Sequence, residues 1–118
     1  MITRRTSFGD WGEQQACGFL ERHGFAVKER NYHSVFGEID IVASRGGDYY
    51  FIEVKTRRDS ALANDLAITF AKKRKLAKTV RSYCYARQVG GGSIIIAGLI
   101  VYVNKMQKKV FFRFCVYC

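Results

Sequence analysis

Proline is absent from this sequence of 118 residues, and acidic residues are absent from positions 66–118. All ten Asp and Glu residues lie within the first 65 positions together with nine Lys and Arg, whereas positions 66–118 hold eleven Lys and Arg. A segment this basic suits a polyanionic partner, because each neutralised phosphate releases condensed counterions. DNA, ribosomal RNA and an anionic membrane surface all meet this requirement, and charge alone does not choose among them.

Long apolar runs are also missing. The longest, Ile94–Val103, has ten residues and contains Gly98, which is about half of what a membrane-spanning helix requires. No apolar run follows the basic first eight residues, so we expect no signal or transit peptide, no membrane partner and a cytoplasmic location. Under such conditions the four cysteines are expected to be reduced thiols rather than a disulfide framework. The Cys-x-x-Cys spacing of Cys115 and Cys118 lacks two further zinc ligands, and we predict no metal there.

The length and the hydrophobic content of 48% predict one domain over residues 1–118. Hydrophobic periodicity and glycine breaks predict seven elements in chain order. These are a helix from Ser7 or Asp10 to about His23, an edge strand over Phe25–Tyr32, a hairpin of Phe36–Ser44 and Asp48–Thr56, a long helix from about Asp65 to Tyr85, and antiparallel strands over Ser93–Val103 and Val110–Tyr117. A crossover through a helix to an apolar strand predicts an α/β fold, with a mixed central β-sheet flanked by helices on both faces.

Acidic side chains stand out in the predicted hairpin. Its two strands alternate in side-chain type with a period of two, and Gly46-Gly47 between them suits a two-residue turn. In that register Asp40 is predicted to face Glu53. Glu38 is predicted to face Lys55 on the same side of the ribbon.

Directly opposed carboxylates repel each other, so this arrangement requires a cation. The candidates are a metal ion and the Lys55 ammonium. Oxygen ligands without a neighbouring His or Cys suit Mg²⁺ or Mn²⁺ rather than zinc. The alternative is an ordinary cross-strand ion pair of Glu38 with Lys55, with Asp40 at an exposed edge.

Several segments of the sequence resemble those of a known protein family. The matching segments are Gly12-Glu13, Gly37-Glu-Ile-Asp-Ile-Val-Ala43, Phe51-Ile-Glu-Val-Lys-Thr-Arg57 and the basic helix around Lys72, within about residues 7–90. They are similar to the YraN-like family of small bacterial proteins, which has the restriction-endonuclease-like fold of the PD-(D/E)xK nucleases. The Asp…Glu-x-Lys core also resembles that of archaeal Holliday-junction resolvases.

The resemblance implies a role for each acidic residue. Asp40 and Glu53 would bind Mg²⁺ or Mn²⁺, helped by the main-chain carbonyl of Val54. Glu13 would approach from the first helix as a further acid for a second metal. Glu38 would either orient the Lys55 ammonium or contact the metal.

Lys55 would position or activate the attacking hydroxide and stabilise negative charge in the transition state. Arg57 and Arg58 follow it closely enough to hold a phosphate backbone. The bases of the second helix are expected to contact DNA phosphates without reading sequence. They are Lys72, Lys73, Arg74, Lys75, Lys78 and Arg81.

Three functions remain open on the sequence. The first is a metal-dependent nuclease that cuts branched or single-stranded DNA in recombination or repair. The second is a non-catalytic nucleic-acid-binding module of a DNA-processing complex, and the third is a ribosome-associated RNA binder. A homodimer and contacts with recombination or repair proteins also stay open, as does whether the apolar C-terminal hairpin is core or interface.

Overall fold

In the part of the chain that the structure describes, two helices and five strands follow one another in the predicted order. The computed structural model describes residues 7–58 and 70–117. Its elements are α1 (Ser7–Arg22), β1 (Ala26–Ser34), β2 (Gly37–Arg45), β3 (Asp48–Arg58), α2 (Phe70–Ala86), β4 (Ile94–Asn104) and β5 (Lys109–Val116). The predicted start of the second helix at Asp65 lies outside the described residues. Neither α1 nor α2 is long and apolar enough to cross a membrane.

The sheet has the order β1-β2-β3-β4-β5. Strands β3 and β4 are parallel, whereas the other neighbours are antiparallel, because α2 lies in the crossover between β3 and β4. The expectation of an α/β fold with a mixed sheet flanked by helices is confirmed. The predicted edge position of the first strand is confirmed as well.

Glycines fix two of the connections. Gly46 and Gly47 have φ of 60° and 85°, and Arg45 pairs with Asp48 across them, as a two-residue turn requires. Gly24 has φ of 85° and ends α1, with its N–H donating to the Glu21 carbonyl at 3.1 Å. The Phe25 N–H donates to the Leu20 carbonyl at 3.0 Å, which completes a Schellman motif.

Alternation along β3 divides its side chains between two faces of the sheet. Tyr50, Ile52 and Val54 pack in the core beneath α1, whereas Tyr49 and Phe51 pack in a second core with α2. The next odd-numbered residues of β3 therefore also lie on the α2 side. They are Glu53, Lys55 and Arg57.

The helices cover unequal parts of the sheet. Helix α1 packs on β1, β3 and β4, whereas α2 packs on β2 and β1 and also contacts the core residues Phe51 of β3 and Ile96 of β4. Helix α2 thus lies mainly over the β1–β2 side of the sheet. The cysteines Cys17, Cys84 and Cys115 are free thiols, as expected, and Cys118 lies outside the described residues.

Close packing of α1 on β3 generates a first prediction. A Cβ on Gly12 would overlap the Thr56 side chain, whereas a Cβ on Gly18 would meet only the end of the Arg22 side chain at 3.2 Å. We expect Gly12→Ala to lower the free energy of unfolding by about 1–2 kcal/mol through overpacking. Gly18→Ala, the matched control in the same helix, should raise it by about 0.5–1 kcal/mol. Urea denaturation measures both, and equal effects of the two substitutions would contradict the predicted close contact.

Candidate active site

Acidic residues of β2 and β3 meet basic residues of α2 in a cleft of about 380 Å³. The cleft brings together three of the predicted acids, Glu38, Asp40 and Glu53. The residues that line it are Gly37, Glu38, Ile39 and Asp40 of β2, Ile52 and Glu53 of β3, and Lys72, Lys75, Leu76 and Thr79 of α2. The α2 residues recur at intervals of three, four and seven positions, so they form one helix face.

The cleft lies where β2 and β3 stop pairing. The register expected from the turn holds as far as the pair of Ile41 with Ile52, and the ladder ends there. The predicted cross-strand pairs of Asp40 with Glu53 and of Glu38 with Lys55 are therefore not part of it. Instead, the Asp40 Oδ2 accepts a hydrogen bond from the Val54 N–H at 2.8 Å. A side-chain carboxylate holds the backbone of β3 at this point, and the strands separate beyond it.

The pairing of β2 with its other neighbour, β1, is also irregular at Asp40. Asn31 of β1 lies opposite Asp40, yet the two residues are not paired, and Asn31 has φ of 55°. Asn tolerates this left-handed conformation better than most residues. Ile41 packs beneath α1, whereas Ile39, two residues away in β2, packs on the α2 side. The alternation of β2 side chains between the two faces of the sheet is therefore interrupted at Asp40.

Glu13 is fully buried on α1 and does not line the cleft. Its Oε1 accepts hydrogen bonds from the Arg30 Nη2 at 2.6 Å and from the Asn31 Nδ2 at 3.2 Å. Because Asn31 lies opposite Asp40, Glu13 reaches the neighbourhood of Asp40 from the α1 side of the sheet. Over residues 7–58 and 70–117, no three His, Cys, Asp or Glu side chains form a metal-holding group. The predicted set of Glu13, Asp40 and Glu53 is thus not assembled into one cluster.

Lys72 supplies the cation beside Glu53. Its Nζ lies 2.6 Å from the Glu53 Oε2. The sequence predicted a metal ion or Lys55 for this position and assigned Lys72 to phosphate binding alone. Because Lys72 reaches Glu53 from a separate element, the hairpin pattern could not reveal the pair. The helical spacing of Lys72, Lys75 and Thr79 was the available signal.

Tyr117 also lies near Glu53 and was not predicted. Burial, and secondly the negative charge of Glu53, raise the pKa of the Tyr117 phenol to about 12. The phenol is therefore protonated at neutral pH and remains a hydrogen-bond donor.

The bases that follow Glu53 do not all face the cleft. Lys55 is half-buried on the α2 side of β3, and the Arg57 Nη1 donates to the Thr56 carbonyl at 3.0 Å. Arg58 points to the opposite face, where its guanidinium lies 3.9 Å from the centre of the Phe8 ring. Alternation along β3 separates Arg57 from Arg58, so the two cannot hold one phosphate backbone from the same face.

The predicted bases of α2 divide among three surfaces. Lys72 and Lys75 line the cleft, while Lys73 is half-buried. Arg74, Lys75 and Lys78 border an adjacent cavity of about 460 Å³. Arg81 lines a third, apolar groove.

The adjacent cavity also exposes two apolar residues that sequence reasoning missed. Val35 and Phe36 form the turn between β1 and β2 and line this cavity, with Val35 95% exposed. The turn thus places two exposed apolar side chains beside three basic ones.

The bond between Asp40 and Val54 generates a second prediction. Asp40→Ala leaves the Val54 N–H without its acceptor, so we expect the free energy of unfolding to fall by about 1–3 kcal/mol. Asp40→Asn keeps an oxygen acceptor and should stay within about 0.5 kcal/mol of the wild type. Urea denaturation distinguishes the two variants. An equal loss in both would mean that the charge of Asp40, rather than its hydrogen bond, stabilises this part of the sheet.

One solved structure is similar to this chain over most of its length. It is a crystal structure of an XisH family protein from Nostoc punctiforme, with a TM-score of 0.38 and 13% sequence identity, covering 88% of this chain and 98% of that chain.

Sequence relatives are much closer. A UPF0102 protein of Roseiflexus castenholzii is 43% identical over 91 residues, which is 75% of this chain and 73% of the relative. A UPF0102 protein of Helicobacter pylori strain P12 is 44% identical over 96 residues, covering 80% and 81% of the two chains. A relative from Myxococcus xanthus is 35% identical over 88 residues, covering 74% and 70%.

The family model described as "Uncharacterised protein family UPF0102" matches residues 12–116. This match includes the Gly-Glu-Ile-Asp and Glu-Val-Lys segments and the basic helix on which the resemblance was recognised, and it confirms the YraN-like assignment. The chain belongs to the UPF0102 family.

Proposed function

We propose that this protein is a metal-dependent nuclease of restriction-endonuclease-like fold that hydrolyses phosphodiester bonds of branched or single-stranded DNA. The observation that carries the proposal is the grouping of Glu38, Asp40 and Glu53 in one cleft beneath the lysines of α2. A protein that only bound phosphates would lose affinity by placing carboxylates among its lysines, because carboxylates repel phosphates. A metal-dependent nuclease, in contrast, needs carboxylates at this place to hold the metal ion.

The donor set of the cleft fits a hard divalent ion. Its acidic ligands are all carboxylate oxygens, with no His or Cys among the lining residues. Mg²⁺ prefers such oxygens and is usually held by one or two carboxylates, with substrate phosphates and water as its other ligands. Asp40 and Glu53 are the two carboxylates that we assign to Mg²⁺ or Mn²⁺, with the Val54 carbonyl as a further candidate. Glu38 and the more distant Glu13 would supply further carboxylates near this pair.

When bound, such an ion supplies a Lewis acid for the scissile phosphate and lowers the pKa of a nearby water. The chain's own residues do the rest. Asp40 remains fixed by the Val54 N–H at the end of the β2–β3 ladder. Lys55, on the same face as Glu53, stabilises the negative charge that develops on the phosphate oxygens. Lys72 and Lys75 line the cleft and attract the DNA backbone towards it.

A second candidate function is a non-catalytic DNA-binding module acting with recombination or repair proteins. The observation in its favour is the ion pair of Lys72 with Glu53 at 2.6 Å, which neutralises Glu53 without a metal. In that case the cleft carboxylates only help to hold α2 on the sheet, and the bases of α2 bind the DNA.

Metal titration and cleavage assays decide between the two. We expect wild-type protein to bind Mn²⁺ and Mg²⁺ in calorimetric titrations and to cut supercoiled, single-stranded or four-way-junction DNA only with metal present. Asp40→Asn should lose metal binding and lower the cleavage rate on the order of 10²–10³-fold, because one ligand charge is gone. Its affinity for DNA in EDTA should stay within about twofold of the wild type.

Asp48→Asn is the matched control for this experiment. Asp48 also accepts a backbone hydrogen bond, from the Ser93 N–H at 2.9 Å, but it lies at the far end of the hairpin. This variant should retain metal binding and cleavage. If the wild type binds no metal and cuts none of the substrates, or if Asp40→Asn cuts as well as Asp48→Asn does, the nuclease proposal is wrong.

The Lys72–Glu53 ion pair generates a further prediction. Removing the ammonium by Lys72→Gln should strengthen Mn²⁺ binding about two- to fivefold, since a partly exposed ion pair no longer competes for Glu53. Lys73→Gln, the neighbouring change on the same helix, should leave the metal affinity unchanged. Calorimetric titration measures both, and weaker metal binding by Lys72→Gln would show that Lys72 does not compete with the ion.

A further inference from the structure

The sheet beside the cleft carries basic and aromatic side chains on the same face as Glu53. Lys55 pairs with Ile100 of β4, and Ile100 pairs with Arg113 of β5. Residues paired directly across neighbouring strands project from the same face. Lys55, Ile100 and Arg113 therefore form one row across the sheet on the α2 side.

The next row along the strands holds the aromatic residues. Arg57 pairs with Tyr102, and Tyr102 pairs with Phe111. The rings of Tyr102 and Phe111 lie 6.0 Å apart, centre to centre. Phe112 and Phe114, the alternate residues of β5, pack in the core beneath α1, which places Phe111 on the other face. We call the basic and aromatic members of the two rows the aromatic–basic strip: Lys55, Arg57, Tyr102, Phe111 and Arg113.

The aromatic–basic strip is accessible at β5, whereas Lys55, Arg57 and Tyr102 are half-buried and Ile100 is buried. Phe111 is 42% exposed, and Arg113 is exposed. Ile100, Tyr102, Phe111 and Arg113 border a small cavity of about 170 Å³. Helix α2 covers the other end of this face, where it packs on β2 and β1 and on Phe51 of β3 and Ile96 of β4, and no residue of a described helix lines this small cavity.

We propose that the aromatic–basic strip binds single-stranded DNA and leads it to the cleft, an inference that rests on the proposed function. Unpaired bases stack on exposed aromatic rings, and arginines beside the rings hold the backbone phosphates. The bases of a duplex are stacked on each other and cannot lie flat on a sheet surface. The row next to the strip contains Glu53, so a strand lying on the strip continues directly into the cleft.

The charge of the strip favours DNA over a second copy of this chain. Lys55, Arg57 and Arg113 are all basic, and residues 66–118 contain no acid. In a two-fold dimer through this face, each subunit would present the same bases to the other. Like charges brought together in this way repel, whereas a phosphate backbone neutralises them.

Fluorescence anisotropy in EDTA tests the proposal with a labelled oligo(dT) of about 20 nucleotides, longer than the site of a small domain. We expect Phe111→Ala to weaken oligo(dT) binding about tenfold, the loss of one stacked base. Phe111→Leu, which keeps an apolar side chain, should also weaken it. Affinity for a duplex of the same length should change less than about twofold in both.

The contribution of Arg113 is tested separately, by the salt dependence of binding. Arg113→Gln should reduce the slope of log K against log salt for oligo(dT) by about 0.7, the value for one phosphate contact on a single strand. Two controls match these changes. Val110→Ala alters an exposed apolar residue of β5 on the opposite face, and Lys28→Gln removes a charge from β1 at the far edge of the sheet. Neither should alter oligo(dT) binding.

Several outcomes would overturn the inference. Unchanged oligo(dT) affinity in Phe111→Ala and Arg113→Gln would do so, as would tighter binding of oligo(U) than of oligo(dT). A change from dimer to monomer in Phe111→Ala, measured by analytical ultracentrifugation, would make this face an interface between copies. Because binding is measured without metal, failure here is distinguishable from failure of the nuclease proposal, which the cleavage assay decides.

Discussion

The hydrogen bond from the Val54 N–H to the Asp40 carboxylate at 2.8 Å is the contact on which the site depends. A ladder of antiparallel backbone hydrogen bonds normally continues until one of the strands ends. Here the Asp40 side chain takes the place of a backbone acceptor for the Val54 N–H. Beyond this point the β2–β3 ladder ends, and Ile39, Asp40, Ile52 and Glu53 line the cleft. On the other side of β2, Asn31 adopts a left-handed conformation opposite Asp40. The strand is therefore irregular towards both neighbours at its acidic residue, as is common at functional sites.

Charge balance then determines what the cleft can hold. Three carboxylates at the end of a sheet repel one another, and desolvation makes the repulsion worse. Lys72 relieves it at Glu53. Outside the cleft, the buried Glu13 is paired with Arg30 and accepts a further hydrogen bond from Asn31. A divalent ion could perform the same service for Asp40 and Glu53, and it would do so with phosphate oxygens completing its coordination. On the proposed function, Lys72 and a divalent ion would therefore compete for the same carboxylate, Glu53.

Unequal coverage of the sheet gives the molecule two different surfaces. Helix α1 closes the side on which Ile52, Leu99 and Phe112 pack. Helix α2 lies mainly over β2 and β1, the cleft opens beside it, and Phe111 and Arg113 of β5 are exposed on that side. Basic residues from α2 and from the β3–β5 region thus flank the carboxylates from two directions. An extended polyanion could cross the site by contacting both surfaces.

Local physical chemistry allowed the sequence to determine the element order, the two-residue turn at Gly46 and Gly47 and the end of α1 at Gly24. Each of these depends on periodicity or on backbone angles within a few residues. The hairpin also brought Asp40 and Glu53 into one site. Only the tertiary structure decided where the β2–β3 ladder stops, that Lys72 binds Glu53, and that β3 continues to Arg58. These features depend on packing between elements distant in sequence and on strand irregularities that the two-residue pattern does not encode.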